Sequence, residues 1–192
     1  MFYRLTLVLC RFILFLLRRW RVFGKENIPP DGGLVVVSNH VSYWDPVVVG
    51  CALPRKIFFM AKAELFSVPV LGLVLSNLGV FPVYRKGSDA RAIKKALQFL
   101  RQGQVVGIFP EGTRSHTGKL LPPHVGVAML ALHGGVPVLP VAVIGTRGVF
   151  GRVKVIIGRP LDFSGFEKSK EQYRVVCDVV MREISNLIDK ER

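Results

Sequence analysis

His40 and Asp45 stand five residues apart in the block SNHVSYWDP, which runs from Ser38 to Pro46. A turn between them brings the carboxylate to one imidazole nitrogen. The other nitrogen is then free to take a proton from a hydroxyl, which makes a general base with its orienting partner. The same residues also have an ordinary structural use. Asp45 before Pro46 is a normal helix N-cap followed by a preferred first helical residue, and His40 can be a satisfied turn histidine. A second block, FPEGTRS from Phe109 to Ser115, sets Glu111 and Arg114 on a turn that Pro110 starts and Gly112 sharpens. A guanidinium on such a turn suits two-pronged binding of phosphate, while Glu111 can bind a hydroxyl or brace Arg114 as a structural ion pair. Two further cations are Arg85, closing GVFPVYR, and Lys62 in MAKAEL. Either one alone reads as solvated surface.

Each block follows a short apolar run. Leu34 to Val37, Ile57 to Met60, Gly79 to Val83, Val105 to Phe109, Val138 to Ile144 and Val153 to Ile157 are strand candidates, bounded by Gly, Pro or charge. Between them, Asp89 to Gln102 carries Ile93, Ala96, Leu97 and Leu100 at helical spacing, with Ser88 as N-cap and Gly103 as stop. Val125 to Leu132 and Glu171 to Ile188 also read as helices. This alternation predicts a single α/β domain with a mostly parallel mixed sheet flanked by helices, and sites at the carboxyl ends of the strands. Leu65 to Val83 holds 19 residues without a charge, but Pro69, Gly72, Ser76, Asn77, Gly79 and Pro82 interrupt it. The expectation is a buried or membrane-touching helix and then a strand, either plain core or the lining of an acyl-chain groove.

Composition narrows the partners. Among 192 residues, 27 Lys and Arg face 13 Asp and Glu, a net charge of +14, and half the chain is hydrophobic with 13 Phe. Such a chain buries a core without disulfides or metals and attracts an anionic partner. Its mean hydropathy of +0.38 suits a membrane phospholipid surface better than nucleic acid, for which no helix-turn-helix, zinc or aromatic-platform signature is present. Cys10, Cys51 and Cys177 are far apart, without a CxxC pair or zinc-ligand spacing, so they read as reduced thiols of a protein on the cytoplasmic face and imply no metal.

Residues 1–24 read as an appendage to a domain of residues 25–192. Its apolar stretch Leu5 to Leu17 is 13 residues long and interrupted by Arg11, too short to span a bilayer. Arg18, Arg19, Trp20 and Arg21 follow where a signal peptide would show small residues. As a helix it places Arg4, Arg11 and Arg18 on one face and Phe2, Leu5, Leu9, Phe12 and Leu16 on others. That pattern predicts an amphipathic helix in the membrane interface, with its arginines drawn to lipid head groups and the protein peripheral or monotopic. The alternative is a helix packed on the domain with a solvated arginine stripe. Residues 27–33, with Pro29 and Pro30, read as a linker.

Taken in order, SNHVSYWDP, GVFPVYR, FPEGTRS and VPVLPV resemble the four motif blocks of the 1-acyl-glycerol-3-phosphate acyltransferase family, over roughly Leu34 to Gly145. The resemblance implies transfer of a fatty acyl group from acyl-CoA or acyl carrier protein to the sn-2 hydroxyl of lysophosphatidic acid. The product is phosphatidic acid for phospholipid biosynthesis, with the acyl donor as co-substrate, no cofactor and no covalent acyl-enzyme. Residues 25–192 are then the acyltransferase domain. His40 matches the general base and Asp45 its orienting partner, while Lys62, Arg85, Glu111, Gly112, Thr113 and Arg114 match acceptor-binding positions. Where many family members carry Phe-Lys-x-Gly, this chain has Pro123, His124, Val125 and Gly126, so one cation is missing or replaced by His124, otherwise a plain loop residue. Backbone amides near Asp45 are candidate donors to the thioester oxyanion. The alternatives are another lysolipid acceptor, water-driven thioester hydrolysis, or a nonenzymatic anionic-lipid binder.

Overall fold

The central strand shows why this sequence builds a layered sheet. All five residues of β2 (Leu34–Ser38) are buried, as expected of a parallel strand covered on both faces. The structure, a computed structural model, describes residues 2–84 and 89–191. Among them β1 (Arg21–Phe23), β2, β3 (Ile57–Lys62), β4 (Phe81–Val83), β5 (Val105–Ile108), β6 (Val138–Ile144) and β7 (Lys154–Ile157) form a seven-stranded sheet in the order β1-β7-β6-β2-β5-β3-β4. The β6–β7 pair is antiparallel and the others are parallel. Leu34 and Val36 face a layer containing α1 (Phe2–Arg18) and α2 (Asp45–Ala52). Val35 and Val37 face α4 (Ala90–Arg101), α5 (Gly126–Gly134) and α6 (Lys170–Asp189). The expected α/β class and mostly parallel mixed sheet are present, and each of the six expected strands contributes.

Several local expectations change. β1, three residues with a charge among them, carries no strand signal of its own. It forms because it pairs in parallel with β7, and the Arg21 amide donates to the Val153 carbonyl at 2.9 Å. The sheet therefore begins inside the stretch read as an appendage. Asp89 caps α4: its carboxylate accepts from the Arg91 and Ala92 amides. Ser88 lies outside the described residues. Gly103 ends α4 as expected, in the left-handed region at φ +71°. The uncharged stretch forms a 3₁₀ turn, then α3 (Pro69–Leu78), then β4. α3 is not plain core: Val70 is 76% exposed and Leu73 67%.

α1 is helical, with Arg4 and Arg11 exposed as expected and Arg18 turned inward. Arg18 is buried and donates to the carbonyls of Gly145 and Gly148; Arg11, although exposed, donates through Nε to the Cys51 carbonyl at 3.0 Å. Helix ends and tight loops leave carbonyls without partners, and these guanidinium groups supply donors. The outward face is otherwise apolar, with Leu5, Val8, Leu9, Phe12, Phe15 and Leu16 exposed. No helix among the described residues is long and apolar enough to cross a membrane.

Candidate active site

The carboxyl end of β2 continues into Asn39, whose side chain completes a backbone pairing. Its Nδ2 donates to the Val143 carbonyl at 2.9 Å, and its Oδ1 accepts from the Val143 amide at 2.8 Å. The chain thus leaves the sheet at His40 with its direction set from β6. His40 Nδ1 lies 2.9 Å from Asp45 Oδ2. The same oxygen accepts from the amides of Val41 at 2.6 Å and Ser42 at 2.7 Å, and Oδ1 accepts from Thr146 Oγ1 at 2.5 Å. A carboxylate only accepts, so Nδ1 carries the ring proton and Nε2 of the neutral imidazole keeps its lone pair. The His40 side chain is 17% exposed and Asp45 is fully buried. Phe109 stacks on the His40 ring with centroids 4.2 Å apart and is backed by Phe59 at 5.8 Å, which fixes the plane of the base.

One expectation about Asp45 is corrected, and the oxyanion donors are narrowed. It opens α2, but Trp44 is the N-cap, and the Asp45 carboxylate folds back onto the preceding turn. The amides of Val41 and Ser42 are thereby committed and are not free to hold an oxyanion.

Glu111 is buried beneath the same turn. Its Oε1 accepts from the His40 amide and its Oε2 from the Leu121 amide, each at 2.8 Å. Burial pushes its carboxyl above the usual range, and the two backbone donors oppose that shift. Among the described residues Glu111 and Arg114 form no ion pair, because both carboxylate oxygens are taken by backbone. Arg114 instead donates to the Tyr43 hydroxyl at 2.8 Å, with Cζ 3.5 Å from the centre of that ring. Gly112 sits at φ +62°, and a Cβ there would come 2.6 Å from Cδ2 of His124. Both the conformation and the close approach require glycine. His124 is therefore more than a plain loop residue: its ring lies against the turn, and its amide donates to the Pro110 carbonyl at 2.8 Å.

The structure gathers His40, Asp45, Glu111, Gly112 and Arg114, and the Ser115 amide ties the two blocks by donating to the His40 carbonyl at 2.8 Å. Thr113 is exposed on the same turn. Lys62 ends β3, two strands from β2, so it stands about 10 Å along the sheet edge. Its Nζ is 3.2 Å from Glu64 Oε1. Arg85 lies outside the described residues. Sequence reasoning missed Asn39, Tyr43, Phe109 and Thr146. Thr146 follows the carboxyl end of β6, and the strand-end rule that singled out the other blocks extends to it.

A cleft of about 350 Å³ beside the dyad is lined by Ser42, Tyr43, Arg114, His116 and Arg147. A groove of about 490 Å³ is lined by Phe58, Phe66, Phe81, Tyr84 and Phe99, with Lys95. Among the described residues no three His, Cys, Asp or Glu side chains come together as metal ligands would.

A base oriented by a buried carboxylate, beside a cleft that carries Arg114 and Arg147, supplies what acyl transfer to a phosphorylated alcohol requires. The acyltransferase family profile matches residues 19–144. The chain belongs to the acyltransferase family. It is 35% identical over 178 residues to the 1-acyl-sn-glycerol-3-phosphate acyltransferase of Bacillus subtilis, covering 88% of both chains. It is 37% identical over 126 residues to the human 1-acyl-sn-glycerol-3-phosphate acyltransferase alpha, covering 64% of this chain and 44% of that one. The crystal structure of the 1-acyl-sn-glycerophosphate (LPA) acyltransferase PlsC from Thermotoga maritima superposes with a TM-score of 0.78 at 32% identity, covering 96% of this chain and 79% of that chain. The family match takes in β1 to β6, and with them both the His40 and the Glu111 blocks.

Proposed function

We propose that the protein transfers a fatty acyl group from an acyl thioester to the sn-2 hydroxyl of 1-acylglycerol 3-phosphate, forming phosphatidic acid. The observation that carries this reading is His40 Nδ1 held 2.9 Å from the buried Asp45 carboxylate, an arrangement that leaves Nε2 of the neutral imidazole as the acceptor. Nε2 takes the hydroxyl proton as the oxygen attacks the thioester carbonyl. The tetrahedral intermediate then expels the thiolate, which recovers the proton from His40, and no acyl-enzyme forms. Glu111 holds the backbone of the base in place. Arg114, whose remaining donors are not spent on Tyr43, grips the acceptor phosphate together with Lys62 and Arg85, and Gly112 and Thr113 shape the turn that presents it. The aromatic groove beneath β3 and β4 suits the acyl chain.

The acyl donor is acyl-CoA or acyl carrier protein, and the working surface is the cytoplasmic leaflet of a phospholipid membrane. The support for a membrane is the outward apolar face of α1, which packs beside α3 with its own exposed Val70 and Leu73. Purified protein given a panel of lysolipids with each donor, with products read by mass spectrometry, is expected to make diacyl product best from lysophosphatidic acid. Thioester hydrolysis without a diacyl product, or lipid binding without turnover, would overturn the reading.

A further inference from the structure

Asp45 carries four hydrogen bonds, and three of them come from its own block. The fourth comes from Thr146, 101 residues away, on the loop that joins β6 to β7. Thr146 is fully buried, so its hydroxyl does not exchange this partner for water. The loop itself is held from outside. Arg18, at the last turn of α1, sends Nη2 to the Gly145 carbonyl at 2.6 Å and Nη1 to the Gly148 carbonyl, on either side of Thr146. The Arg18 carbonyl accepts from the Val153 amide at 3.0 Å, where the loop closes. The guanidinium also lies 6.0 Å from the ring centre of Trp44, the residue before Asp45.

Arg18 is 1% exposed, and its Nε is buried without a partner. A buried guanidinium with one nitrogen unsatisfied is a costly way to fill space, so what it holds is the informative part. What it holds is the peptide segment that carries the last donor to the dyad carboxylate. Arg18 and Thr146 both fall just outside the family match of residues 19–144.

We infer that Thr146 is a positioning residue for Asp45, and that Arg18 positions Thr146 by clamping the loop carbonyls on both sides, so that the N-terminal helix completes the catalytic dyad. The inference rests on the dyad being the reaction centre proposed above. Without the hydroxyl, Oδ1 of a buried carboxylate has no donor, and the plane of Asp45 that orients His40 is no longer fixed. The loss falls on turnover rather than on substrate binding.

The test uses the full chain with detergent-dispersed substrates, so that membrane partition does not enter. Thr146→Val keeps the shape and removes the donor, and should lower kcat about tenfold to a hundredfold while KM for both substrates stays within about twofold. Thr146→Ser should recover most of that loss. Arg18→Gln should lower kcat in the same way, but should cost less than about twofold further in the Thr146→Val background, because it acts through the same bond. If Arg18→Gln does not fold, Arg18→Lys, which keeps the charge but cannot span both carbonyls, takes its place in the cycle. The downfield Nδ1–H proton resonance of His40 supplies a readout independent of turnover. It should broaden in Thr146→Val and Arg18→Gln and sharpen again in Thr146→Ser.

Fully additive losses, or a Thr146→Val enzyme with unchanged kcat and an unchanged resonance, would overturn the inference. A wild-type protein that transfers no acyl group, yet shows the expected changes in that resonance, would overturn the functional reading and leave the positioning role standing.

Discussion

Replacing Phe12 and Phe15 by serine separates an apolar membrane contact from an electrostatic one. Phe12 is 58% and Phe15 71% exposed on the outer face of α1, so neither supports the fold to any large extent. Full burial of a phenylalanine side chain is worth about 2 kcal/mol, and the exposed two-thirds of each ring therefore offers about 1.3 kcal/mol to a lipid surface. The pair together offers about 2.6 kcal/mol, which is somewhat under a hundredfold in partition. Vesicle flotation with anionic and neutral lipid should show that drop with little dependence on salt, since burial of apolar area is not screened. Arg4→Gln, by contrast, removes an exposed cation worth about 1 kcal/mol near an anionic surface, a roughly fivefold effect that salt erases. Arg11→Gln should change partition less than the phenylalanine pair and lower the melting temperature, because its guanidinium holds the Cys51 carbonyl. Flotation unchanged by the phenylalanine pair, or a loss that disappears at high salt, would refute the apolar-face reasoning.

Other outcomes follow from the same geometry. His40→Ala should lower kcat on the order of a hundredfold to ten-thousandfold while keeping a cooperative thermal melt, and near-normal turnover would remove it as the base. Glu111→Gln places an amide N–H against a backbone N–H that now donates to a carboxylate oxygen; it should cost about 1–3 kcal/mol of stability, read as a lower melting temperature, together with reduced turnover. A Glu111→Gln enzyme that melts and turns over like wild type would show that the two backbone bonds do not matter. Burial pushes the Cys51 thiol up to about 12, so at pH 8 only about one molecule in ten thousand carries the thiolate. Iodoacetamide should leave Cys51 unmodified in the native protein and label it after unfolding, as read by peptide mass spectrometry.

The strands, their order along the chain and the residue types at their carboxyl ends could be read from the sequence because their signals are local. A run such as Leu34 to Val37 is buried on both faces whatever its neighbours are, and an apolar β-branched stretch states that directly. Gly103 at the end of α4 and Gly112 in the second turn were legible for the same reason, since each meets a conformational demand of its own residue. Strand pairing and side-chain direction were not local. β1 exists only because Val153 and β7 offer it a ladder.

Heptad spacing showed that Arg4, Arg11 and Arg18 share a side of α1 but carried nothing about which side meets the protein. That was decided by carbonyls on α2 and on the β6–β7 loop: Arg18 is drawn in to Gly145, Arg11 reaches Cys51 from an exposed position, and the phenylalanines stay outside. Glu111 and Arg114, three residues apart, look like an ion pair in sequence. The fold instead delivers the His40 and Leu121 amides to the carboxylate and Tyr43 to the guanidinium. Asp45 draws its last donor from Thr146 across 101 residues, a contact that no spacing rule contains. Periodicity sets which residues lie together on an element, whereas the partner of a buried polar group is whatever long-range packing brings within hydrogen-bond reach.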